Sequence, residues 1–437
     1  MEGHLKINTG KYAQAIGRES LFAESGKITK VVGILMEGYL PGAWLGTVCE
    51  VYPSNGESCF FAEVVGFREK NVLLMPLGEI RGVGMGSKVC LSKREATVKV
   101  GPRLLGRVVN GLGEPIDGKG NIFTQDEIDI YNTPENPLNR VPIRQPLDLG
   151  VKAINGLLTI GQGQRVGIMA GSGVGKSVLL GMIARGTTAD INVIALIGER
   201  GREVREFIEN DLGPEGLKRS VIVCATGDQS PVLRMRASFL ATAIAEFFCD
   251  QGKNVLLMMD SVTRFAMAQR EIGLSVGEPP ATKGYTPSVF STLPKLLERA
   301  GQFKGRGSIT GLYAVLVEGD DMDDPIADSV RSIVDGHIVL SRSYAQRGHF
   351  PAIDIMQSTS RVMRNVADLA HLEIAGQFRE VMANYKEAED LINIGAYKKG
   401  SSVKVDRAID LHDRIDDFLK QAVGDRKSTR LNSSHSS

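Results

Sequence analysis

The sequence has almost no excess charge, no long apolar run and no paired cysteines. Its 437 residues include 52 Lys and Arg against 51 Asp and Glu, so charge favours neither a nucleic-acid nor a membrane-surface role. No apolar run approaches the roughly 18 residues that a membrane span needs. The first residues, Met1 to Leu5, form no apolar signal region. We therefore expect a cytosolic protein with no transmembrane segment.

The cysteines give no sign of a disulfide framework or a metal site. They are scattered, odd in number and never spaced as Cys-x-x-Cys: Cys49, Cys59, Cys90, Cys224 and Cys249. Such a pattern is typical of buried thiols in a reducing compartment, which disfavours thiol-nucleophile and cysteine-ligand functions.

The length and the rhythm of apolar runs predict three domains in an α/β chain. Short apolar runs alternate with glycine from about 27 to 92, which predicts a small N-terminal β-barrel over 1–95. We expect residues 1–26, a short extension of this domain, to contact a regulator or to pair between subunits.

From about residue 104, apolar strand candidates recur with helical stretches between them. They are 166–169, 192–197, 221–225, 255–259, 311–317 and 337–340. Alternation of this kind predicts a mostly parallel sheet covered by helices over 96–361. Helical spacing over 362–385 and 405–421 predicts a C-terminal helical domain over 362–425. The stretch 426–437 has no periodicity and is typical of a vector-derived or disordered tail, so we exclude it from the fold.

A phosphate-binding loop is the most informative motif. Glycines leave room for a polyphosphate, Lys176 supplies a charge for its β/γ oxygens, and Ser177 offers a hydroxyl to Mg²⁺. The predicted nucleotide-binding residues are Ala170, Gly171, Ser172, Gly173, Val174, Gly175, Lys176, Ser177 and Val178. The pattern usually begins with Gly rather than Ala. The alternative is a glycine-rich turn with an exposed lysine; the apolar run before the loop and the helical pattern after it disfavour that alternative.

Two further strand ends carry carboxylates. Asp260 ends an apolar run and would reach the carboxyl edge of the sheet, where we expect it to hold Mg²⁺ through water; the alternative is a helix cap. Glu199 follows another strand and could polarise a water molecule. We expect Arg200, Arg202 and Glu203 to form ion pairs that position it, and we place Arg200 with the catalytic side chains and Glu203 with the metal ligands. Taken alone, such a charged loop is usually only solvated.

Several segments resemble the catalytic subunits of rotary ATPases, whose central domain has the RecA-like P-loop fold. The similarity lies in the phosphate loop, in 198–203 and in 256–260. The segment 351–361 matches the superfamily signature Pro-Ala-x-Asp ending in Ser-x-Ser, and 284–288 and 317–325 are also similar to family stretches. Within the superfamily, the runs 170–182 and 197–207 resemble the flagellar protein-export ATPase of bacterial type III secretion. The likeness covers about 27 to 421.

The resemblance implies the roles of particular residues. Glu199 becomes the catalytic carboxylate, Lys176 the phosphate-binding lysine, and Arg361 an arginine finger that reaches into a neighbouring subunit's site. Phe350 matches an aromatic position that packs on adenine. A plain core aromatic and a surface arginine are the alternatives for Phe350 and Arg361. Because one chain carries both Glu199 and Arg361, we expect a ring of identical subunits, most simply a homohexamer, with ATP and Mg²⁺ as ligands.

The implied function is ATP hydrolysis that energises flagellar protein export at the inner face of the cytoplasmic membrane, with peripheral membrane association. The implied partners are a stator-like export regulator, a stalk-like central protein, export-gate membrane proteins and chaperone–substrate complexes that dock on the C-terminal helices. A virulence-secretion (injectisome) ATPase shares the chemistry and the fold. A catalytic subunit of an ion-translocating synthase is a less favoured interpretation of the sequence than either export ATPase.

Two other classes are disfavoured. A hexameric RNA helicase would need a basic and aromatic stripe that is absent. A nucleotide-binding ring that does not hydrolyse would not need the pair Lys176 and Glu199.

Overall fold

The computed structural model describes residues 25–80, 82–92 and 96–425. The chain forms two compact units, Met1–Ala96 and Thr97–Ser437. Our expectations for residues 1–24 and for 426–437 fall outside the described residues. The boundary proposed between residues 361 and 362 stays a prediction, because the second unit is not divided further.

The first unit is a closed six-stranded barrel with the strand order β1-β2-β5-β4-β3-β6. Neighbouring strands are antiparallel, and their inward side chains form one buried cluster that includes Ile28, Met36, Val51 and Leu74. This confirms the predicted barrel. Its strands are β1 Ser25–Val32, β2 Leu35–Tyr39, β3 Val48–Tyr52, β4 Phe60–Arg68, β5 Asn71–Pro76 and β6 Lys88–Leu91.

The second unit is built on a nine-stranded sheet with the order β19-β18-β12-β17-β15-β13-β14-β8, and β16 pairs with β17. All pairings are parallel except those of β16 and β19. The predicted parallel sheet is therefore confirmed. The strands of this unit are β7 Thr97–Val100, β8 Val108–Val109, β9 Asp126–Asp129, β10 Pro146–Leu147, β11 Ile160–Gly161, β12 Arg165–Ala170, β13 Ile191–Ile197, β14 Ser220–Ala225, β15 Asn254–Asp260, β16 Gly301–Gln302, β17 Ser308–Leu316, β18 Gly336–Leu340 and β19 Ile353–Ser360.

Helices cover both faces of this sheet, which explains why its strands are continuous apolar runs. In β13 every residue is buried. Val193 and Ala195 belong to one hydrophobic cluster, whereas Ile194 and Leu196 belong to another. Since side chains alternate between the faces of a strand, the two clusters lie on opposite sides of the sheet.

The α-helices of this unit are α1 Lys152–Leu157, α2 Lys176–Gly186, α3 Gly201–Glu206, α4 Gly213–Lys218, α5 Pro231–Asp250, α6 Val262–Val276, α7 Pro287–Leu297, α8 Pro325–Ile333, α9 Arg342–Gln346, α10 Met363–Val366, α11 Leu369–Asn393 and α12 Val403–Leu419. A π-helix, Phe207–Leu212, connects α3 to α4. Among the described residues, no helix is long and apolar enough to cross a bilayer.

The C-terminal helical region and the segment before it differ in detail from expectation. The predicted helix over 362–385 is interrupted after α10, and Asp368 caps α11 by accepting a hydrogen bond from His371 N at 2.8 Å. The signature segment 351–361 contains β19, an edge strand that the apolar runs did not reveal. The helical pair α11 and α12 is otherwise as predicted.

The direction of the strands decides which side chains meet. The carboxyl ends of β12, β13 and β15 lie at one edge of the sheet, as the pairings of Leu196 with Asp260 and of Met169 with Val315 require. β19 runs the other way: its first residue pairs with Leu340, and Ser360 pairs with Gly336. Arg361 therefore follows a strand that has returned to the amino edge.

Candidate nucleotide site

The phosphate loop joins β12 to α2 and is shaped by glycine. Gly173 and Gly175 have φ angles of 78° and 90°, a left-handed region that other residues seldom adopt. Gly175 is also the N-cap of α2, so no cap side chain covers the first-turn N–H groups. Val174 is buried and anchors the loop in the core. A backbone cradle at a helix N-terminus is suited to bind a polyphosphate.

Lys176 lies between two acidic side chains at the carboxyl edge. Its Nζ donates a hydrogen bond to Asp260 and lies 3.6 Å from Glu199 Oε1. Asp260 is not the cap of α6, because Ser261 Oγ accepts the hydrogen bond from Arg264 N, at 3.3 Å. The structure thus brings together three of the predicted site residues from three different strand ends.

The environment of Glu199 makes it a candidate base near neutral pH. Burial, the charge of Asp260 and a hydrogen bond to Glu203 together raise the pKa of Glu199 to about 7, against the opposing charge of Lys176. The same hydrogen bond lowers the pKa of Glu203. Near neutral pH, Glu199 is therefore the partly protonated member of this pair and Glu203 the ionised one. A carboxyl poised near neutral pH is suited to hold or deprotonate water.

Arg200 and Glu203 lie at the start of α3, on the exposed side of the loop. The Glu203 carboxylate accepts a hydrogen bond from Arg200 N, at 3.5 Å, and the Arg200 guanidinium is 3.6 Å from Glu203. The Arg200 side chain is 82% exposed. The ion pair that we expected between them is present; the catalytic role of Arg200 and the metal role of Glu203 stay predictions.

The donors near the loop suit a hard cation. Ser177 is exposed at the first turn of α2, and Asp260 offers carboxylate oxygens. Within the described ranges, no group of three or more His, Cys, Asp or Glu side chains could hold a metal ion. Mg²⁺ is usually bound by one or two carboxylates together with substrate phosphates and water, so this donor set fits Mg²⁺ that arrives with a nucleotide.

Phe350 lies beside the phosphate loop. A Cβ built on Gly175 would be 3.5 Å from two ring carbons of Phe350. The ring is 45% exposed, so it is not the plain core aromatic that we held as the alternative. An exposed aromatic ring next to a phosphate cradle offers a face for a base. Its role in packing on adenine stays a prediction.

Arg361 is far from the site of its own chain. It is exposed, its backbone N–H is bonded to Asp335 O at 3.0 Å, and its guanidinium lies 3.4 Å from Val334 O. The five residues of β18, which pair with β19 from Gly336–Ser360 to Leu340–Ile353, separate the two edges of the sheet, which is about 13 Å at roughly 3.3 Å per residue and more than an arginine side chain spans. Arg361 therefore cannot reach the phosphate loop of the same molecule.

The sequence analysis missed two residues at this site. The Arg264 side chain lies across Gly198, where a Cβ would be 2.8 Å from Arg264 Cβ, and its buried Nε has no hydrogen-bond partner among the described residues. Its place in the first turn after Asp260 was a usable signal. Gln421, which is bonded to the Phe350 backbone, has no such signal.

Comparisons with known proteins agree with this geometry. Residues 150–360 match the ATP synthase alpha/beta family, nucleotide-binding domain, and 367–430 match the T3SS EscN ATPase C-terminal domain. The "Flagellum-specific ATP synthase" of Bacillus subtilis (strain 168) is 54% identical over 419 residues, 95% of either chain. The chain belongs to the flagellum-specific ATP synthase and type 3 secretion ATPase family.

Other members of this family are nearly as similar. The "Type 3 secretion system ATPase" of Xanthomonas euvesicatoria is 51% identical over 396 residues, 91% of this chain and 89% of the relative. The assembled ATPase EscN of the enteropathogenic E. coli type III secretion system has a TM-score of 0.87 at 49% identity, covering 92% of this chain and 97% of that one. Like these family members, the protein is a nucleotide-binding ATPase.

Proposed function

We propose that this protein hydrolyses MgATP to energise flagellar type III protein export. The proposal rests on the cluster of Lys176, Asp260 and Glu199 beside the phosphate loop, in a chain 54% identical to a flagellum-specific ATP synthase. Phosphoryl transfer needs a cationic cradle, a metal-holding carboxylate and a group that orients water. Each of these three tasks has one candidate in the cluster.

In the proposed mechanism, Lys176 moves from its two carboxylates to the β/γ-phosphate oxygens when ATP enters. Ser177 and Asp260 would hold Mg²⁺, which neutralises phosphate charge when bound. Glu199, released from Lys176 and in its ionised form, would orient the attacking water. Phe350 would pack on the base. The backbone N–H groups at the start of α2 would hold the phosphates without moving.

The position of Arg361 supports a site shared between subunits. Its own phosphate loop lies at the opposite edge of the sheet, so any contact with a γ-phosphate would have to be made in another copy. A head-to-tail interface that repeats and closes gives a ring, and we propose a homohexamer. An arginine that acts in trans can accelerate phosphoryl transfer by 10³–10⁵, an order-of-magnitude range known from GTPases.

The proposed partners follow from the relatives. EscN has been solved in complex with its central stalk EscO, and we propose a stalk-like central protein for this ring as well. A stator-like regulator, export-gate membrane proteins and chaperone–substrate complexes complete the proposal. The proposed location is cytoplasmic, at the inner face of the cytoplasmic membrane with peripheral association.

ATP turnover as a function of protein concentration, with Mg²⁺, tests the shared site. For the wild type we expect turnover per subunit to rise steeply with concentration, whereas Arg361→Ala should stay low throughout while still binding ATP. Concentration-independent turnover that the substitution leaves unchanged would mean a self-contained site.

A virulence-secretion role is the second candidate, since the Xanthomonas type 3 secretion ATPase is 51% identical. Expression in a Bacillus subtilis strain without its own flagellum-specific ATP synthase separates the two. Restored swimming with the wild type, and none with Glu199→Gln, would support the flagellar role. Normal turnover in vitro without any swimming would favour the second candidate.

A further inference from the structure

Gln421 is a buried junction between the end of α12 and the nucleotide site. It is 6% exposed and lies two residues beyond the helix. Its Oε1 accepts a hydrogen bond from Lys152 N at 2.9 Å. Its Nε2 donates to Gly150 O at 2.8 Å and to Asp425 O at 3.0 Å. The side-chain amide thus ties the C-terminal segment to the start of α1.

The backbone of Gln421 continues this junction to the aromatic residue beside the phosphate loop. Its N–H donates to the carbonyl of Phe350, at 3.0 Å. The neighbouring His349 is 5% exposed, and its Nδ1 lies 2.7 Å from the carboxylate of Asp416 on α12. Two adjacent residues, 349 and 350, are therefore fastened to α12 and to the segment that follows it.

In this arrangement the backbone of Phe350 is held in place, whereas one side of its ring is exposed. The ring lies against Gly175 of the phosphate loop, whereas the carbonyl is held by Gln421. A base-stacking group is effective when its position is set before the ligand binds. The amide of Gln421 can satisfy a buried donor and a buried acceptor at once, which an apolar side chain of equal size cannot.

We propose that Gln421 is a positioning residue for the nucleotide base, acting through Phe350. The proposal rests on the proposed function of the site. It places the binding of the base under the control of the C-terminal helices, whereas the hydrogen bonds of Gln421 in the described structure go to no group of the phosphate loop.

The proposal is tested by comparing a ligand that carries the base with one that consists of phosphates alone. We would measure the dissociation constants of MgATP and of inorganic tripolyphosphate with Mg²⁺ for the wild type, Gln421→Leu and Phe350→Ala. Gln421→Leu should weaken MgATP binding about 10-fold and leave tripolyphosphate binding within about twofold. Gln377→Leu, an exposed glutamine on α11, is the matched control and should change neither constant.

A double-mutant cycle separates positioning from general damage. If Gln421 acts through Phe350, adding Gln421→Leu to Phe350→Ala should weaken MgATP binding no further. An equal loss of MgATP and tripolyphosphate binding, no loss of either, or full additivity in the cycle would overturn the proposal. Should Gln421→Leu not fold, Gln421→Glu keeps the acceptor and loses both donors, and the same outcomes apply. A wild type that does not bind MgATP would instead overturn the proposed function.

Discussion

At the scale of single residues, Lys176 balances the charge of a buried acidic site. Its side chain is 11% exposed, between Asp260 at 5% and Glu199 at 16%. Two ionised carboxylates beside one cation would leave a net negative charge in a poorly solvated place. The pKa of Glu199, raised to about 7, leaves this carboxyl partly protonated at neutral pH and so relieves that charge. In the proposed mechanism, an incoming phosphate competes with the carboxylates for Lys176, and phosphate binding releases Glu199 from Lys176.

Glu199→Gln should abolish turnover and keep nucleotide affinity. The amide has nearly the same size but cannot accept a proton, so we expect kcat to fall about 10²–10⁴-fold. The dissociation constant of MgATP should change little, because Lys176 and the loop remain. Steady-state phosphate release and equilibrium binding measure the two quantities. Glu206→Gln, at an exposed position at the end of α3, serves as control; a large kcat in Glu199→Gln would exclude the assigned role.

Asp117 gives a prediction for stability against pH. Arg107 donates two hydrogen bonds to its carboxylate, at 2.7 and 2.9 Å, and holds the pKa of Asp117 well below its usual range. The pKa of Asp117 is lower in the folded than in the unfolded protein. The contribution of the ion pair to stability is therefore complete above the unfolded pKa of about 3.9 and is lost as pH falls toward the folded value. Asp117→Asn should cost about 1–3 kcal/mol at pH 7.

Urea unfolding at pH 7 and at pH 3 would measure that difference. The difference in the free energy of unfolding between the wild type and Asp117→Asn should be smaller at pH 3 than at pH 7. The exposed control Asp126→Asn should unfold like the wild type at both pH values. A gap that is independent of pH would show that packing, not the ion pair, is responsible.

The sequence revealed residues that act within a local motif or at the end of an apolar strand. Lys176 and Asp260 are 84 positions apart, yet their pairing was predictable, because parallel strands place their carboxyl ends together. Gln421 and Lys152 are 269 positions apart. Their contact depends on how a helix end packs on the domain, which no local pattern encodes.

At the scale of elements, the phosphate-loop helix is locked to the π-helix that follows Glu203. A Cβ on Gly181 of α2 would lie 2.7 Å from both the carbonyl oxygen and the Cβ of Asp211. The absence of a side chain at Gly181 lets the two helices approach closely. Glu199 and Glu203 precede the π-helix in the chain, so this contact holds the segment that follows them against the phosphate-loop helix.

Gly181→Ala should therefore lower stability and turnover, although alanine favours helices. Relief of glycine's entropy would add about 1 kcal/mol of stability, but backbone overlap at this distance should cost about 1–3 kcal/mol and lower turnover. Gly376→Ala in α11, where a Cβ meets nothing within 4 Å, should be stabilised with unchanged turnover. Thermal unfolding and phosphate release compare the pair. Equal stabilisation of both variants would contradict the close contact.

The sequence predicted the type of an element where one face or both faces of that element are buried, and not elsewhere. Runs such as Ile191–Ile197 are apolar throughout because both faces are covered. β19 was not predicted because its second half, Gln357 to Ser360, is polar and, apart from Ser358, at least partly exposed at a sheet edge. The π-helix was not predicted because its sequence is compatible with an ordinary helix, from which it differs in its i→i+5 backbone hydrogen bonds.

At the scale of the whole molecule, the two halves of the proposed catalytic machinery lie at opposite edges of one sheet. The loop, Glu199 and Asp260 occupy the carboxyl edge, and Arg361 occupies the amino edge. Under this proposal a single chain is incomplete, and identical neighbours arranged head to tail would complete one another. The central claim is that each active site contains residues of two subunits.

Mixing two inactive variants tests this claim most directly. In a ring, a Glu199→Gln subunit supplies an intact Arg361 to a neighbour whose Glu199 is intact but whose Arg361 is alanine. Phosphate release should therefore reappear when the variants are mixed, up to about one site in four at equal amounts if subunits assemble at random. Each variant alone should stay inactive. No recovered turnover at any ratio, in mixtures shown to form rings, would contradict the shared site.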